Sequence, residues 1–394
     1  MGLRRRVCDR GPSKLHTRPL SRTPNKPKPR AGILMALGYV GLDLMLMDNN
    51  INRLDRRVER QLLRMAENPF DLTNEEFKQL YRLTPDIVFN LIDVLEPQLQ
   101  KTRINGLSVE KQVLAALRFY ATGCFQRPVG EQWGISMSQS SISRCVHKVT
   151  DAINNLIFRQ WIQFPITAEA RYQAKLKFQN ARHSFEGAIG AIDCSHVAII
   201  APRIHEEAYV NHHGYHSLNV QMICDPDLKI LNVNARYPEA RHDAYIWNVS
   251  AARRVMERAY NRGDSGYPLE PWLLTPLPRE SEGTPRFAYN EALCKARTCV
   301  ERLFGVLKAT WRCLSRHRVL QYDPGFAGRI VNACAVLHNM RQANGILYAD
   351  VLDEFHNEVL YENNNDADNI EDYNVRGPLA VARRIQDRLI VERF

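Results

Sequence analysis

Residues 191 to 197 read AIDCSHV and place one aspartate, Asp193, near the centre of an apolar run that extends from Ala188 to Ile200. A run of this length and composition predicts a buried strand. An ionised carboxylate in such a strand is costly unless something cationic or hydrogen-bonding meets it. Asp193 is therefore expected either to bind a metal ion or to accept hydrogen bonds at a strand edge. For an isolated aspartate, the second interpretation would be preferred.

Three further acids shift the balance towards a metal site. Asp243 opens a predicted helix, Asp264 lies in GDSGYP, and Glu301 lies on a predicted helix from Lys295 to Leu314. Mg²⁺ and Mn²⁺ prefer carboxylate oxygens. Two such cations roughly 3.5 to 4 Å apart can promote hydrolysis or transfer of a phosphodiester. Glu301 considered alone would be interpreted as a surface ion pair with Arg297.

Composition is consistent with a globular protein that binds a polyanion. The chain has 394 residues, of which 45% are apolar, and a net charge of +10. Residues 1–30 carry +9 and residues 350–375 carry −9, so the remaining body carries +10. A basic body suits nucleic acid. The nine cysteines have no zinc-type spacing, which predicts reduced thiols in a nuclear or cytosolic protein.

The first 30 residues are rich in Arg, Lys and Pro, which predicts disorder. RRR at 4–6 and KPKPR at 26–30 suit a nuclear import signal or loose DNA contact, while Met35 offers a second start that would make this leader dispensable. The apolar patch from Gly32 to Met47 is short and is interrupted by Asp43, so we expect neither a membrane span nor secretion.

A helical region follows, and part of it resembles a helix-turn-helix. A short helix is predicted around Val129 to Trp133, followed by a second helix in SQSSISRCVHKVTDAI, whose apolar stripe contains Ile142, Val146 and Val149. Polar and basic side chains near the N-terminus of such a helix can contact base edges and phosphates. An ordinary helical domain is the alternative. The candidate DNA-binding residues are Ser140, Ser141, Arg144 and Lys148 here, and Arg297, Lys308 and Arg312 beside Glu301.

From Gly187 onward the pattern changes to that of strands. Strands are predicted at Ala188–Ile200, His216–Asp225 and Leu228–Tyr237, with Asp225-Pro226-Asp227 as a turn. A helix is predicted from His242 to about Tyr260, and a loop-rich segment with a short strand from Gly263 to Leu277. This order predicts an α/β protein in which a ribonuclease-H-like domain follows an α-helical, helix-turn-helix-like domain. In that fold the first strand, with Asp193, would be central.

Five ordered motifs together resemble the PIF/Harbinger family of DDE transposases and, within it, the transposase-derived nucleases of animals. The resemblance covers residues 110 to 342. The motifs are AIDCSHV at 191, YVNHHGYHSLNVQMICD at 209, GDSGYPLEPWLLTPL at 263, VERLFGVLKATWRCL at 300 and ACAVLHNM at 333. One departure is RYPEARHD from Arg236, where the family often has a Gly-Ser-rich turn.

The resemblance implies a nuclear DDE nuclease that uses Mg²⁺ or Mn²⁺, acts on DNA, and shares DNA recognition with a Myb-like partner protein. The minimal triad is then Asp193, Asp264 and Glu301, with Asp243 as a further ligand candidate, because Asp243 and Asp264 both suit the middle acid. His196 should point to the opposite face from Asp193 and serve in packing or support. The alternative function is a domesticated DNA-binding or scaffold protein that does not cut.

The predicted domain organisation has four parts. Residues 1–50 form the leader and apolar patch, 51–165 the helical domain, 166–345 the nuclease domain, and 346–394 an acidic stretch with a C-terminal helix. That last helix is amphipathic, so it is expected to pack on the body or, alternatively, to bind a partner.

Overall fold

The computed structural model describes residues 31–100, 106–261, 273–277, 280–346 and 378–394. A set of helices precedes a three-stranded antiparallel sheet, and further helices follow it. The helices before the sheet are α1 (Ala31–Ala66), α2 (Asn74–Tyr81), α3 (Pro85–Leu99), α4 (Val109–Thr122), α5 (Gln126–Gly130), α6 (Gln139–Ala152), α7 (Phe158–Trp161) and α8 (Ala168–Gln179).

The strands are β1 (Ala191–Ala198), β2 (Ser217–Cys224) and β3 (Ile230–Pro238). The later helices are α9 (Asp243–Asn248), α10 (Ala251–Asn261), α11 (Pro285–Thr310), α12 (Pro324–Ala343) and α13 (Pro378–Arg393). Residues 273–277, part of the segment predicted to contain a short strand, form none.

Capping residues set the boundaries of the early helices. Thr73 and Glu76 form a reciprocal capping box at the start of α2. Ser108 caps α4 by accepting a hydrogen bond from the Lys111 amide. Gly123 ends α4 with a φ of 60°, and a Cβ there would lie 2.8 Å from the Arg312 carbonyl oxygen. Glycine therefore serves both the left-handed turn and a close backbone approach.

The two short helices differ slightly from their prediction. The first, α5, ends at Gly130 rather than running from Val129 to Trp133, and Gly134 turns the chain with a φ of 73°. The Met137 amide donates to the Gly130 carbonyl at 2.7 Å, which brings α6 back against α5. Ile142, Val146 and Val149 are fully buried on α6, so the predicted apolar stripe is confirmed.

The sheet has the order β1-β2-β3, with Asp193 opposite Met222 and His196 opposite Asn219. Alternate residues along β1 face opposite sides. Val197, Val220 and Met222 pack in the main core with α11 and α12, whereas Ile192 and Ile223 pack with Trp247 and Ala252 of α9 and α10. In the described part of the chain β1 pairs with β2 on one side, and on the other side only its end is bridged, where Ile199 pairs in parallel with Leu320. The central position expected for β1 stays a prediction.

Two helix predictions need correction. The segment from His242 to Tyr260 is two helices, because Ser250 accepts a hydrogen bond from the Arg253 amide and so starts a new helix after Val249. The long helix α11 begins at Pro285 instead of Lys295, with Thr284 as its N-cap. Proline in the first turn of a helix loses no intrahelical hydrogen bond.

Helix α12 fastens β3 through two neighbouring polar side chains. Asn339 Oδ1 accepts from the Ile230 amide at 2.8 Å, while its Nδ2 donates to the carbonyl oxygens of Ile230 and Trp161. His338 is fully buried with Nε2 2.8 Å from the Leu228 carbonyl oxygen. His338 and Asn339 of the ACAVLHNM motif therefore have a structural role.

The described residues divide into two compact units, with the boundary between Glu59 and Arg60. Within the larger unit, helix α13 packs on the start of α11, where Gln386 donates to the Thr275 carbonyl oxygen and to the Tyr289 hydroxyl. The predicted packing of the C-terminal helix is thus confirmed. Among the described residues, no helix is long and apolar enough to cross a membrane.

Acid should destabilise the fold through His338. Burial lowers the pKa of His338 from 6.5 to about 4. Between these two values the unfolded state binds more protons than the folded state, so the free energy of unfolding should fall as the pH drops from 6.5 to 4, by up to roughly 3 kcal/mol. His338→Gln should remove this part of the pH dependence in denaturant unfolding, whereas His183→Gln, at an exposed histidine, should keep it. If the free energy of unfolding changed equally with pH in wild type and His338→Gln, His338 would not be the group responsible for the loss of stability in acid.

Candidate active site

Asp193 lies on β1, on the face that packs against α11, and its charge is met by a basic side chain of that helix. Arg297 Nη2 lies 2.8 Å from Asp193 Oδ2, with 20% of the Asp193 side chain and 44% of the Arg297 side chain exposed. The cost predicted for a carboxylate in this strand is therefore offset by a guanidinium group. Arg297 therefore pairs with Asp193 and not, as expected for Glu301 considered alone, with Glu301.

Glu301 lies one helical turn beyond Arg297 on α11 and is exposed. Burial lowers the pKa of Arg297, but the charge and hydrogen bond of Asp193, and then the charge of Glu301, outweigh that effect and raise the pKa overall. One guanidinium group thus feels both carboxylates. The structure in this way brings the first and last acids of the predicted set to the same side of β1.

Asp243 is held on the other face of the sheet. It opens α9, and its Oδ1 accepts a hydrogen bond from Asn219 Nδ2 at 2.9 Å. Asn219 pairs with His196 across the β1–β2 ladder, and Cys194 lies two residues before His196 on the same face. Asp243 is consequently separated from Asp193 by the strand itself.

Cys194 lies between these groups and stays protonated. Burial, followed by the charge of Asp243 and a hydrogen bond to it, raises the pKa of the Cys194 thiol far above its usual value. Gln221 Nε2 also lies 3.8 Å from Cys194 Sγ. A protonated thiol can donate to a carboxylate but is a poor nucleophile and a poor metal ligand. The raised pKa thus favours Cys194 as a hydrogen-bond donor to Asp243.

Asp264, the remaining acid of the predicted set, lies outside the described residues. The described acids thus divide into Asp193 and Glu301 on the α11 side and Asp243 on the α9 side. Their roles as catalytic residues and metal ligands stay a prediction.

The candidate DNA-binding side chains on α6 are at the surface. Ser140, Arg144 and Lys148 are exposed and Ser141 is partly exposed. Ser138 caps the helix, and Arg144 Nη2 donates to Ser141 Oγ at 3.3 Å. The opposite face of α6 supplies the buried apolar stripe, so the polar face is free of the core.

Two of the three basic candidates beside Glu301 are less accessible than expected. Arg297 is exposed but paired with Asp193, whereas Lys308 and Arg312 are half-buried. Lys308 shares a narrow cleft between β1 and α11 with Ser195 and Leu314. The predicted helix to Leu314 did not reveal this, because α11 ends at Thr310 and Arg312 follows it in a short 3₁₀ helix.

The second face of β1 carries His196 and, close to it, Glu239, which the sequence did not single out. His196 points away from Asp193, as predicted, and its Nδ1 lies 2.6 Å from Glu239 Oε2. Glu239 follows β3, and its side chain is only 12% exposed. An acid shortly after a predicted strand was the available signal. It was interpreted only as part of an altered turn.

Comparison with known proteins gives a consistent assignment. Residues 192–339 match the family model described as a DDE superfamily endonuclease. The chain is 35% identical over 284 residues to the protein named "Putative nuclease HARBI1" in Bos taurus and in Homo sapiens, covering 70% of this chain and 80% of each relative. This chain belongs to the Harbinger-derived family of DDE nucleases.

More distant relatives of this DDE nuclease family occur in plants. "Protein ALP1-like" of Arabidopsis thaliana is 25% identical over 256 residues, which is 60% of this chain and 61% of that protein. No solved structure matches the chain. The matched region of the DDE model begins at the second residue of β1 and ends at Asn339 of α12, so it contains all four predicted acids.

The donor chemistry of the described acids suits the divalent cation that a DDE nuclease implies. Asp193 and Glu301 offer only carboxylate oxygens, which Mg²⁺ and Mn²⁺ prefer. Arg297 shows that the folded chain already places a positive charge against Asp193. A cation that binds Asp193 would compete with this guanidinium group. The strength of the pairing between Asp193 and Arg297 therefore matters for cation binding, and it can be measured.

The contact between Asp193 and Arg297 should appear as a coupling energy. In a double-mutant cycle with Asp193→Asn and Arg297→Met, we expect roughly 1 kcal/mol in the free energy of unfolding, since both groups are partly exposed. The exposed pair Glu291 and Lys295 on the same helix is the control and should give only a few tenths of a kcal/mol. Equal coupling in the two cycles would argue that Arg297 does not neutralise Asp193 selectively.

Proposed function

We propose that this protein is a metal-dependent DNA endonuclease that cleaves phosphodiester bonds with acids carried on β1 and α11. The observation that carries the proposal is that Asp193 forms an ion pair with Arg297 while the charge of Glu301 also acts on Arg297. The chain in which this occurs belongs to the DDE nuclease family. A pair of acids brought to one face by two different elements is the arrangement that cation binding requires.

Asp193, Asp264 and Glu301 would hold the cations as the minimal triad. Asp243 is the weaker choice for the middle acid, because it lies on the opposite face of β1 and is engaged by Asn219 and Cys194. When bound, divalent cations supply neutralising charge at the phosphate and lower the pKa of the attacking water. A ribonuclease-H-like arrangement, in which a further strand pairs with β1, is part of this proposal.

Three other side chains, those of Arg297, Asn219 and Cys194, would bind DNA or hold the site in position. Arg297 neutralises Asp193 in the free protein and can turn to a DNA phosphate when a cation takes its place. The guanidinium group suits phosphate because it presents several donors in one plane. Asn219 and Cys194 fix the start of α9 behind the strand.

Helices α5 and α6 would contact DNA as a helix-turn-helix-like unit. Their support is the close approach of Gly130 to Met137, where a Cβ on Gly130 would lie 2.3 Å from the Met137 carbonyl oxygen, and the exposed polar face of α6. Contacts to phosphate from Arg144 and Lys148 would position the DNA without reading its sequence. A Myb-like partner protein would then supply sequence recognition, and the basic segments at 4–6 and 26–30 would direct the protein to the nucleus, with some remaining in the cytoplasm.

The second candidate function is a transposase-derived DNA-binding or scaffold protein that does not cut. The observation that favours it is the Arg297 ion pair, since a guanidinium group on Asp193 can replace a metal ion as a structural counter-ion. Such a protein would use the exposed face of α6 and the basic body but would not need free carboxylates.

Cleavage of supercoiled plasmid separates these two functions. Purified protein should nick the plasmid with Mg²⁺ or Mn²⁺ and not with EDTA, and Asp193→Asn or Glu301→Ala should lower the rate by at least about 100-fold. Glu291→Ala removes an exposed acid from the same helix and should cleave normally. Binding of DNA without cleavage, unchanged in both acid variants, would favour the scaffold function.

The contribution of α6 can be measured separately from cleavage. Arg144→Ala with Lys148→Ala should weaken DNA binding and reduce the slope of log K against log salt by about 2, since two phosphate contacts are lost. The matched control is Arg383→Ala with Arg384→Ala, which removes two exposed charges from α13. An equal loss in both double variants would mean that α6 has no special role and that general charge accounts for binding.

A further inference from the structure

A cluster of two histidines and one glutamate lies outside the set of acids on the α11 side. Among the residues that the structure describes, the side chains of His196, His212 and Glu239 each bring one ligand atom to within 4.8 Å of the others. They come from β1, from the loop before β2 and from the chain just after β3. The cluster therefore joins three segments that are distant in sequence.

We propose that His196, His212 and Glu239 bind a zinc ion that fastens these three segments together. Two imidazole nitrogens and one carboxylate oxygen form a common set of protein ligands for Zn²⁺, which leaves a fourth position for water. Imidazole nitrogen favours zinc over Mg²⁺ or Mn²⁺. The site thus differs in chemistry from the carboxylates on the other face, and the proposal does not depend on nuclease activity.

The contact between His196 and Glu239 brings two of the three ligand atoms together. Glu239 Oε2 lies 2.6 Å from His196 Nδ1, and both side chains are largely buried. Ligand atoms around a tetrahedral zinc lie about 3.3 Å apart. All three ligand atoms lie within 4.8 Å of one another, so small rotations of the side chains would complete the site.

Glu239 is held where it can act as a ligand. Its Oε2 accepts a hydrogen bond from Ser217 Oγ at 3.3 Å, and its side chain is 12% exposed. The adjacent Ala240 amide donates to the Ala208 carbonyl oxygen at 2.9 Å, which fixes the backbone after β3. A supporting hydrogen bond to the ligand carboxylate is a usual feature of metal sites.

The loop that carries His212 is also fixed. The buried side chain of Asn211 accepts hydrogen bonds from the amides of His213 and Tyr215 and donates to Ser217 Oγ. Gly214, with a φ of 78°, completes the turn. His212 itself is exposed and its ring centre lies 5.8 Å from that of His196. The site is therefore open to solvent on the His212 side, through which an ion can enter.

The position of the cluster indicates a structural role. His196 is three residues after Asp193, about 10 Å along β1, and points to the opposite face. Glu239 is four residues before Asp243, and Asn219, the cross-strand partner of His196, donates a hydrogen bond to that acid. A zinc ion on Glu239 would hold the turn that leads into α9, and it would do so without contacting the acids on the α11 side.

Zinc binding can be measured directly on the full chain. Protein freed of metal at pH 7.5 should take up one Zn²⁺ per chain in equilibrium dialysis, with a rise of several degrees in Tm, and one Co²⁺ should give the intense visible absorption of a tetrahedral site. His212→Ala should weaken the Zn²⁺ affinity at least about 100-fold, since it removes one of three ligands, and the exposed side chain should leave the fold intact. Glu239→Gln should have a similar effect.

Two controls make the result specific. His213→Ala changes the neighbouring exposed histidine, which is not in the cluster, and should retain the wild-type affinity. Asp193→Asn with Glu301→Ala should also retain it. If no Zn²⁺ is taken up at 1:1, or if uptake survives His212→Ala and is lost instead in the Asp193 and Glu301 variant, the proposal is wrong.

Discussion

The register between β1 and β2 decides the side on which each functional group lies. With Asp193 opposite Met222 and His196 opposite Asn219, the acid faces α11 and the histidine faces α9. A slip of one residue would exchange the two faces, burying His196 against the main core and moving Asp193 towards Asp243. The apolar residues on both faces prevent such a slip, because Val197 belongs to one core and Ile192 to the other. Apolar packing, which takes no part in the chemistry, thus determines on which face of β1 Asp193 and His196 lie.

Much of this arrangement was predictable from the sequence, for identifiable reasons. The three strands and the Asp225 turn have strong local signals, and Asp225 Oδ1 indeed accepts from the amides of Asp227 and Lys229. Alternation along β1 was enough to place His196 opposite to Asp193. The break at Ser250 and the start of α11 at Pro285 were missed because each depends on a single capping side chain. The pairing of Asp193 with Arg297 was missed because it joins elements that are 104 positions apart.

A carboxylate on a half-buried strand of the folded protein needs a positive charge or hydrogen bonds to offset its lost hydration. In the folded chain described here Arg297 supplies the charge, at the cost of holding a long side chain in one position. A divalent cation would supply more charge with fixed oxygen geometry, but only when it is bound. The guanidinium group therefore allows the site to fold without a cation and still leaves the carboxylate within reach of one. The exposed position of Arg297 makes that exchange inexpensive, because a displaced guanidinium group returns to water and not to an apolar interior.

The two faces of β1 offer different ligands, and this difference favours different cations. Oxygen donors alone, on the α11 side, select hard ions that keep their waters and exchange readily. The nitrogen donors of His196 and His212, with Glu239, select an ion that binds more firmly and holds its ligands in a fixed geometry. A strand with both sets could thus combine an exchangeable cation on one face with a permanent one on the other. Because Glu239 and Asp243 share one short turn, firm binding on the second face would also limit the motion of the acid that Asn219 and Cys194 hold.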